Sequence, residues 1–325
     1  MTSQELLDKL LSARKSFYRI LLKNILPTIM LLIIQAILPV LVTAIIGYLL
    51  VKYKKYDFGL LNNLLIYIAI PALVLTSLLD QPIVLNEALR IWGAVLIITL
   101  GSALSAYLIF RAIKKKHSGL YLPIMFMNTI NLPLPLALLF FGNEGLQIAV
   151  LFSVPSTILM FTIGLYIGAK KPLKEGLKEV LKLPLLYAVI IGLILNFANI
   201  QVSAYILEPI RFVSKMAIPM ALLILGGTLA TIKLKSISTV ILASLIRFGA
   251  GFGLGLLAIK LLDLTGLHAA IVLLVSVMPA AVFSAVIADK YKNEESLVSS
   301  VVLLTTVLAI IVIPLILSYA TSFVN

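Results

Sequence analysis

The sequence predicts an all-α membrane protein of ten transmembrane helices, built as two five-helix repeats of opposite orientation. Three observations carry this. Of the 325 residues, 62% are hydrophobic and 12% charged, with a mean hydropathy of +1.15. A soluble domain cannot hide that much apolar surface beneath a polar shell. Apolar runs of about 20 residues recur along the whole chain, each long enough to cross roughly 30 Å of hydrocarbon as a helix. They are too long for outer-membrane barrel strands of about ten residues. Finally, the chain repeats itself in order at nearly constant spacing.

Taken in order, the apolar runs place helices near 32–51, 59–79, 88–110, 119–140, 146–168, 181–198, 206–230, 237–260, 267–288 and 296–319. The domains read as an N-terminal amphipathic helix (1–30), a first repeat (31–168), a cytoplasmic loop (169–180) and a second repeat (181–325). Basic residues gather in alternate loops: Lys52, Lys54 and Lys55; Arg111, Lys114, Lys115 and Lys116; Lys170, Lys171, Lys174, Lys178 and Lys182; Lys233 and Lys235; Lys290 and Lys292. The opposite loops hold only Arg90, Arg211 and Lys260. The net charge of +13 therefore reflects the positive-inside rule and not nucleic-acid binding. The lysine-rich loops face the cytoplasm and the C-terminus lies outside. Residues 4–25 put Leu7, Leu10, Phe17, Leu21 and Ile25 on one helical stripe, as in a helix lying in the membrane interface. Ten spans set that helix outside, where its five basic residues run against the charge rule. The start of the chain does not read as a cleaved signal peptide. The absence of cysteine excludes disulfides and thiol chemistry.

The repeat rests on three matches. Residues 38–50 (LPVLVTAIIGYLL) match 183–195 (LPLLYAVIIGLIL), IAIP at 68–71 matches MAIP at 216–219, and Asn143-Glu144 matches Asn293-Glu294. An odd number of helices per unit turns the second copy upside down, which is the build of secondary transporters.

In such carriers, interrupted helices at matching positions mark the binding site. The fourth helix contains Asn128, Thr129 and Asn131, with Pro133 and Pro135 removing backbone donors. The ninth contains Ser276 and Pro279. Unwound segments near mid-membrane leave carbonyls, amides and half-helix N-termini free, and such N-termini attract carboxylates. Arg247 and Lys215 are charges at membrane depth, where function is the usual reason for the cost; Arg211 reads as a partner of Glu208. Acidic residues (Asp80, Glu144, Asp263, Asp289) all fall near helix ends, so an organic anion suits the sequence better than a cation. His117 and His268 also fall near helix ends. The reading includes no enzyme activity, cofactor or metal.

Several of these stretches resemble the auxin efflux carrier family, which includes plant PIN carriers and malonate-permease-like proteins of bacteria and archaea. They are LPVLVTAIIGYLL at 38–50, IPALV at 70–74, NTINLPLPLALLFFGNEGL at 128–146 and MPAAVFSAVIADKYKNEESLVSSVVLLTT at 278–306. Where that family often has glycines, this chain has Ile130 and Pro133. The resemblance implies a fold with broken, crossing fourth and ninth helices, as in bile-acid symporters and sodium/proton antiporters. It implies a scaffold and homodimer contact from helices one, two, six and seven, and an elevator-like moving domain from the rest. It also implies that the substrate carboxylate lies at the crossover, near Asn128. The expected activity is secondary active or facilitative transport of an organic anion across the cytoplasmic membrane. The alternatives are a sodium-coupled symporter of the bile-acid type and a membrane sensor that binds a ligand without moving it.

Overall fold

A computed structural model describes residues 26–169, 172–232 and 236–324. The stripe at 4–25 lies outside the described residues, as do Lys170, Lys171, Lys233 and Lys235. The described residues from Val40 onward form one compact unit, which the packing below concerns.

Among the described residues the chain is helical throughout, with one isolated antiparallel bridge, Met127 to Ala280. The order is α1 (Leu26–Lys54), α2 (Gly59–Asp80), α3 (Leu85–Ala112), α4 (Tyr121–Met125), α5 (Pro133–Gly168), α6 (Leu173–Leu181), α7 (Pro184–Phe197), α8 (Ala204–Thr231), α9 (Ile237–Leu261), α10 (Gly266–Ser276), α11 (Val282–Lys290) and α12 (Glu295–Ala320). Six of these, α2, α3, α5, α8, α9 and α12, are long and apolar enough to cross a membrane. Their outer faces are apolar: Leu89, Leu96, Leu100, Leu104 and Leu108 form an exposed stripe along α3. Water would penalise such a stripe, and lipid does not.

Apart from α1, an uninterrupted apolar helix of 29 residues, the other elements are short or interrupted, which is why fewer unbroken spans appear than apolar runs. The run at 119–140 is α4, an irregular stretch and the start of α5. The run at 267–288 is α10, another irregular stretch and α11. The fourth and fifth predicted helices join across a kink at Gly142, whose φ of 66° is left-handed and open without strain to glycine. The segment 169–180, expected as a loop, contains most of α6: Leu173, Leu177, Val180 and Leu181 recur at helical spacing, and Val180 is buried. Prolines lie close before π-helical turns at Met160–Gly164 and close after one at Leu65–Ala69. Such turns absorb locally disturbed hydrogen bonding.

The core is built around the interrupted segments. Every residue from Ala269 to Ser276 is buried, as are Leu122, Ile124 and Met125 of α4. Phe110, Val240, Ala243 and Val301 pack around Leu120, Ile124 and Ala280, while Met160, Ile287 and Val298 surround Met125 and Phe126. Broken backbone is tolerated at membrane depth only where protein or a water-filled cavity surrounds it. That accounts for the interruptions lying inside.

Candidate functional site

The two interruptions pair with each other. After Met125 the chain becomes extended at Phe126 (φ −104°, ψ 111°). Asn128 N–H donates to the Pro279 carbonyl at 2.7 Å, and Ala281 N–H donates to the Phe126 carbonyl at 2.9 Å. Ala280 N–H donates to Thr305 Oγ1 of α12 at 3.1 Å. Groups freed by the breaks in the helices thus satisfy one another.

Each break then restarts a helix. Asn128 Oδ1 accepts the amides of Ile130 (3.3 Å) and Asn131 (3.0 Å), the local capping that asparagine favours. Pro133 and Pro135 follow in the first turn of α5. First-turn amides have no intrahelical partner, so prolines there sacrifice little and pre-set φ. They begin the half-helix where the sequence reading had them breaking one. In the second break Ser284 N–H bonds back to the Ala281 carbonyl. The amides of Val282 and Phe283, ahead of it, have no acceptor among the described residues.

Both restarts face a cavity of about 460 Å³. Asn128, Thr129 and Asn131 line it from one side, and Ala281, Val282 and Phe283 from the other. Both π-helical turns contribute to its wall through Leu65, Ile66, Met160 and Phe161, a placement common for such turns. Exposed residues of its lining include Tyr56, Asp57, Gly59, Thr231 and Val286. Asp57 is the only charged side chain among the described lining residues. Asn128 is 4% exposed, and its Nδ2 has no partner among the described residues.

Comparison with known proteins now carries weight. Residues 32–317 match the membrane transport protein family. The chain belongs to the auxin efflux carrier family. Uncharacterized transporters of Methanocaldococcus jannaschii and Methanothermobacter thermautotrophicus are each 28% identical to it, over 297 and 296 residues, covering 86% of this chain and 96% of each relative.

Within this family member, Asn128, Thr129 and Asn131 come together in the cavity wall, and the other candidates lie elsewhere. Ser276 is fully buried; its Oγ donates to the Leu273 carbonyl at 2.8 Å. Pro279 contributes its carbonyl to Asn128. Lys215 is exposed, in the turn that divides α8. Arg211 bonds Asp80 at 2.6 Å and lies 3.8 Å from Glu208, so α2 supplies its closer partner. Arg247 is 0% exposed and does not line the cavity. Thr305 was not singled out, although it lies in the closing motif; a threonine in an apolar helix gives no hint that it accepts a distant amide. The aromatic wall of Tyr56, Phe58, Phe126, Phe161 and Phe283 was also missed, because aromatics in a membrane sequence read equally well as lipid-facing.

Proposed function

We propose that this family member is a secondary carrier of an organic anion, working by alternating access across the cytoplasmic membrane. The supporting observation is Asn128: a cavity-lining residue at the paired interruptions whose buried amide nitrogen has no partner among the described residues. It would serve a carboxylate together with the first-turn amides of Val282 and Phe283, at the positive ends of two half-helices. The volume is in the usual range for small-molecule sites. With apolar walls and Asp57 as the only charged side chain of the described lining, a carboxylate would rest on neutral amide donors alone, which suits one negative charge on an apolar body better than two, a monocarboxylate over a dicarboxylate.

In this reading the chain crosses the membrane ten times as a 5+5 inverted repeat. The interrupted fourth and ninth spans cross and move with their neighbours, in an elevator-like step, against a scaffold formed by the first, second, sixth and seventh. That scaffold is the proposed homodimer contact. The lining residues Tyr56, Leu183 and Thr231 adjoin lysine-rich connections, so in this reading the cavity would open to the cytoplasm, with the C-terminus outside.

The test is counterflow into proteoliposomes after a thermal-shift screen of organic acids. Asn128→Ala should lower uptake by about tenfold or more, the worth of a hydrogen bond to a charged group, without loss of folded protein. Unchanged uptake would remove Asn128 from the site. Binding without counterflow would instead favour a sensor, and uptake that requires sodium would favour a sodium-coupled symporter.

A further inference from the structure

The deepest charge in the described protein faces backbone carbonyls and not the cavity. Arg247 Nη1 donates to the Ile124 carbonyl at 2.6 Å and to that of Met125 at 3.4 Å; Nη2 donates to the Ser276 carbonyl at 2.7 Å. Met125 ends α4 and Ser276 ends α10. The final carbonyls of a helix lack intrahelical donors and carry partial negative charge. In α4 and α10 these ends are buried beside each other, out of reach of water, and one guanidinium serves both.

The approach is built into α9. A Cβ on Gly251 would lie 2.3 Å from the Ser276 carbonyl oxygen and 2.6 Å from Arg247 Nη2, and one on Gly255 would lie 2.3 Å from Ser276 Oγ. Only glycine allows α9 to close on the end of α10 at these two points. The planar fork of arginine sends donors in two directions at once, which a lysine ammonium on its flexible stem does not reproduce.

We propose that Arg247 is a fixed internal cation that ties together the C-terminal ends of the two interrupted half-helices. It is a positioning residue, acting on the site by holding the two breaks in register. In carriers with discontinuous helices, half-helix C-termini and unwound carbonyls are places where coupling cations sit; here the side chain supplies the charge. The inference deepens the carrier reading, since it takes the paired breaks as the site.

The test needs no substrate, so its failure is separate from failure of the carrier reading. The chain has no cysteine, and Met127 and Ala280 form the bridge between the two breaks. The hydrogen bonds flank them, making them the closer kind of antiparallel pair, about 4.5 Å between Cα atoms and within disulfide reach. In detergent, Met127→Cys/Ala280→Cys should close quickly under mild oxidation. Adding Arg247→Met or Arg247→Lys should slow closure by about tenfold or more, because neither joins both ends. Adding Arg247→Ala should slow it equally, with recovery in millimolar guanidinium chloride and none in lithium chloride at the same concentration. Parent-like closure with Met or Lys, or indifference of the Ala variant to guanidinium, overturns the proposal. If the Met and Ala variants do not fold, the Lys variant decides alone.

Discussion

At the scale of single residues, Asn128 has two separable jobs. Its Oδ1 caps the restart of α5 through the amides of Ile130 and Asn131, while Nδ2 is buried without a partner among the described residues. Alanine removes both, but Asn128→Asp keeps the acceptor and replaces the donor with negative charge. The Asp variant keeps the cap but buries a carboxylate in place of a neutral amide, so it should lose about 1–3 kcal/mol of stability or more. Its uptake should fall by at least about a hundredfold, because like charges brought together cost several kcal/mol. Parallel thermal melts and proteoliposome uptake check this; an Asp variant that still transports would take the anion away from Asn128. The asparagine was legible in the sequence because a polar residue beside prolines in an apolar run has few structural uses. The environment of Arg247 was not. Its depth could be counted along α9, but its partners are carbonyls 123 and 29 residues away, and a carbonyl leaves no mark on residue identity.

At the scale of elements, apolar run length located nearly every helix, because the cost of exposing backbone to lipid leaves little else possible. What it missed were features decided by tertiary contact. The apolar positions of α6 are diluted by lysine and glutamate, so its helical spacing was overlooked. The turn between the fourth and fifth predicted helices shrank to a single left-handed Gly142. Close helix contacts were also hidden, since glycine is common in membrane helices for several reasons. A Cβ on Gly226 would lie 1.7 Å from the Ala44 carbonyl oxygen, and one on Gly47 2.0 Å from that of Leu223, so α1 and α8 meet backbone to backbone. By contrast, Gly249 of α9 has nothing within 4 Å of such a Cβ. Gly226→Ala should thus destabilise by about 1–3 kcal/mol through overpacking. Gly249→Ala should be neutral or stabilising by up to about 1 kcal/mol, since alanine is the better helix former. Detergent melts of the pair measure the difference, and equal midpoints would mean that α1 and α8 do not touch in the folded protein.

At the scale of the whole molecule, the proposed orientation rests on the distribution of charge among the connections. In the proposed orientation the connections after α1, before α7 and after α8 are cytoplasmic, and the cavity-lining residues Tyr56, Leu183 and Thr231 lie in or beside them. An even number of crossings between Thr231 and the end of the chain would return the C-terminus to that side. The proposed three crossings, α9, the interrupted α10–α11 pair and α12, put it on the other. Because the chain lacks cysteine, single substitutions report this directly. Thr231→Cys, exposed at the end of α8, and Ser322→Cys, in the 3₁₀ turn that follows α12, should react with a membrane-impermeant maleimide from opposite faces. Thr231→Cys should label in inverted vesicles and Ser322→Cys in intact cells. Labelling from the same face would require the interrupted pair to enter and leave on one side, and the second repeat would then no longer be the first turned over.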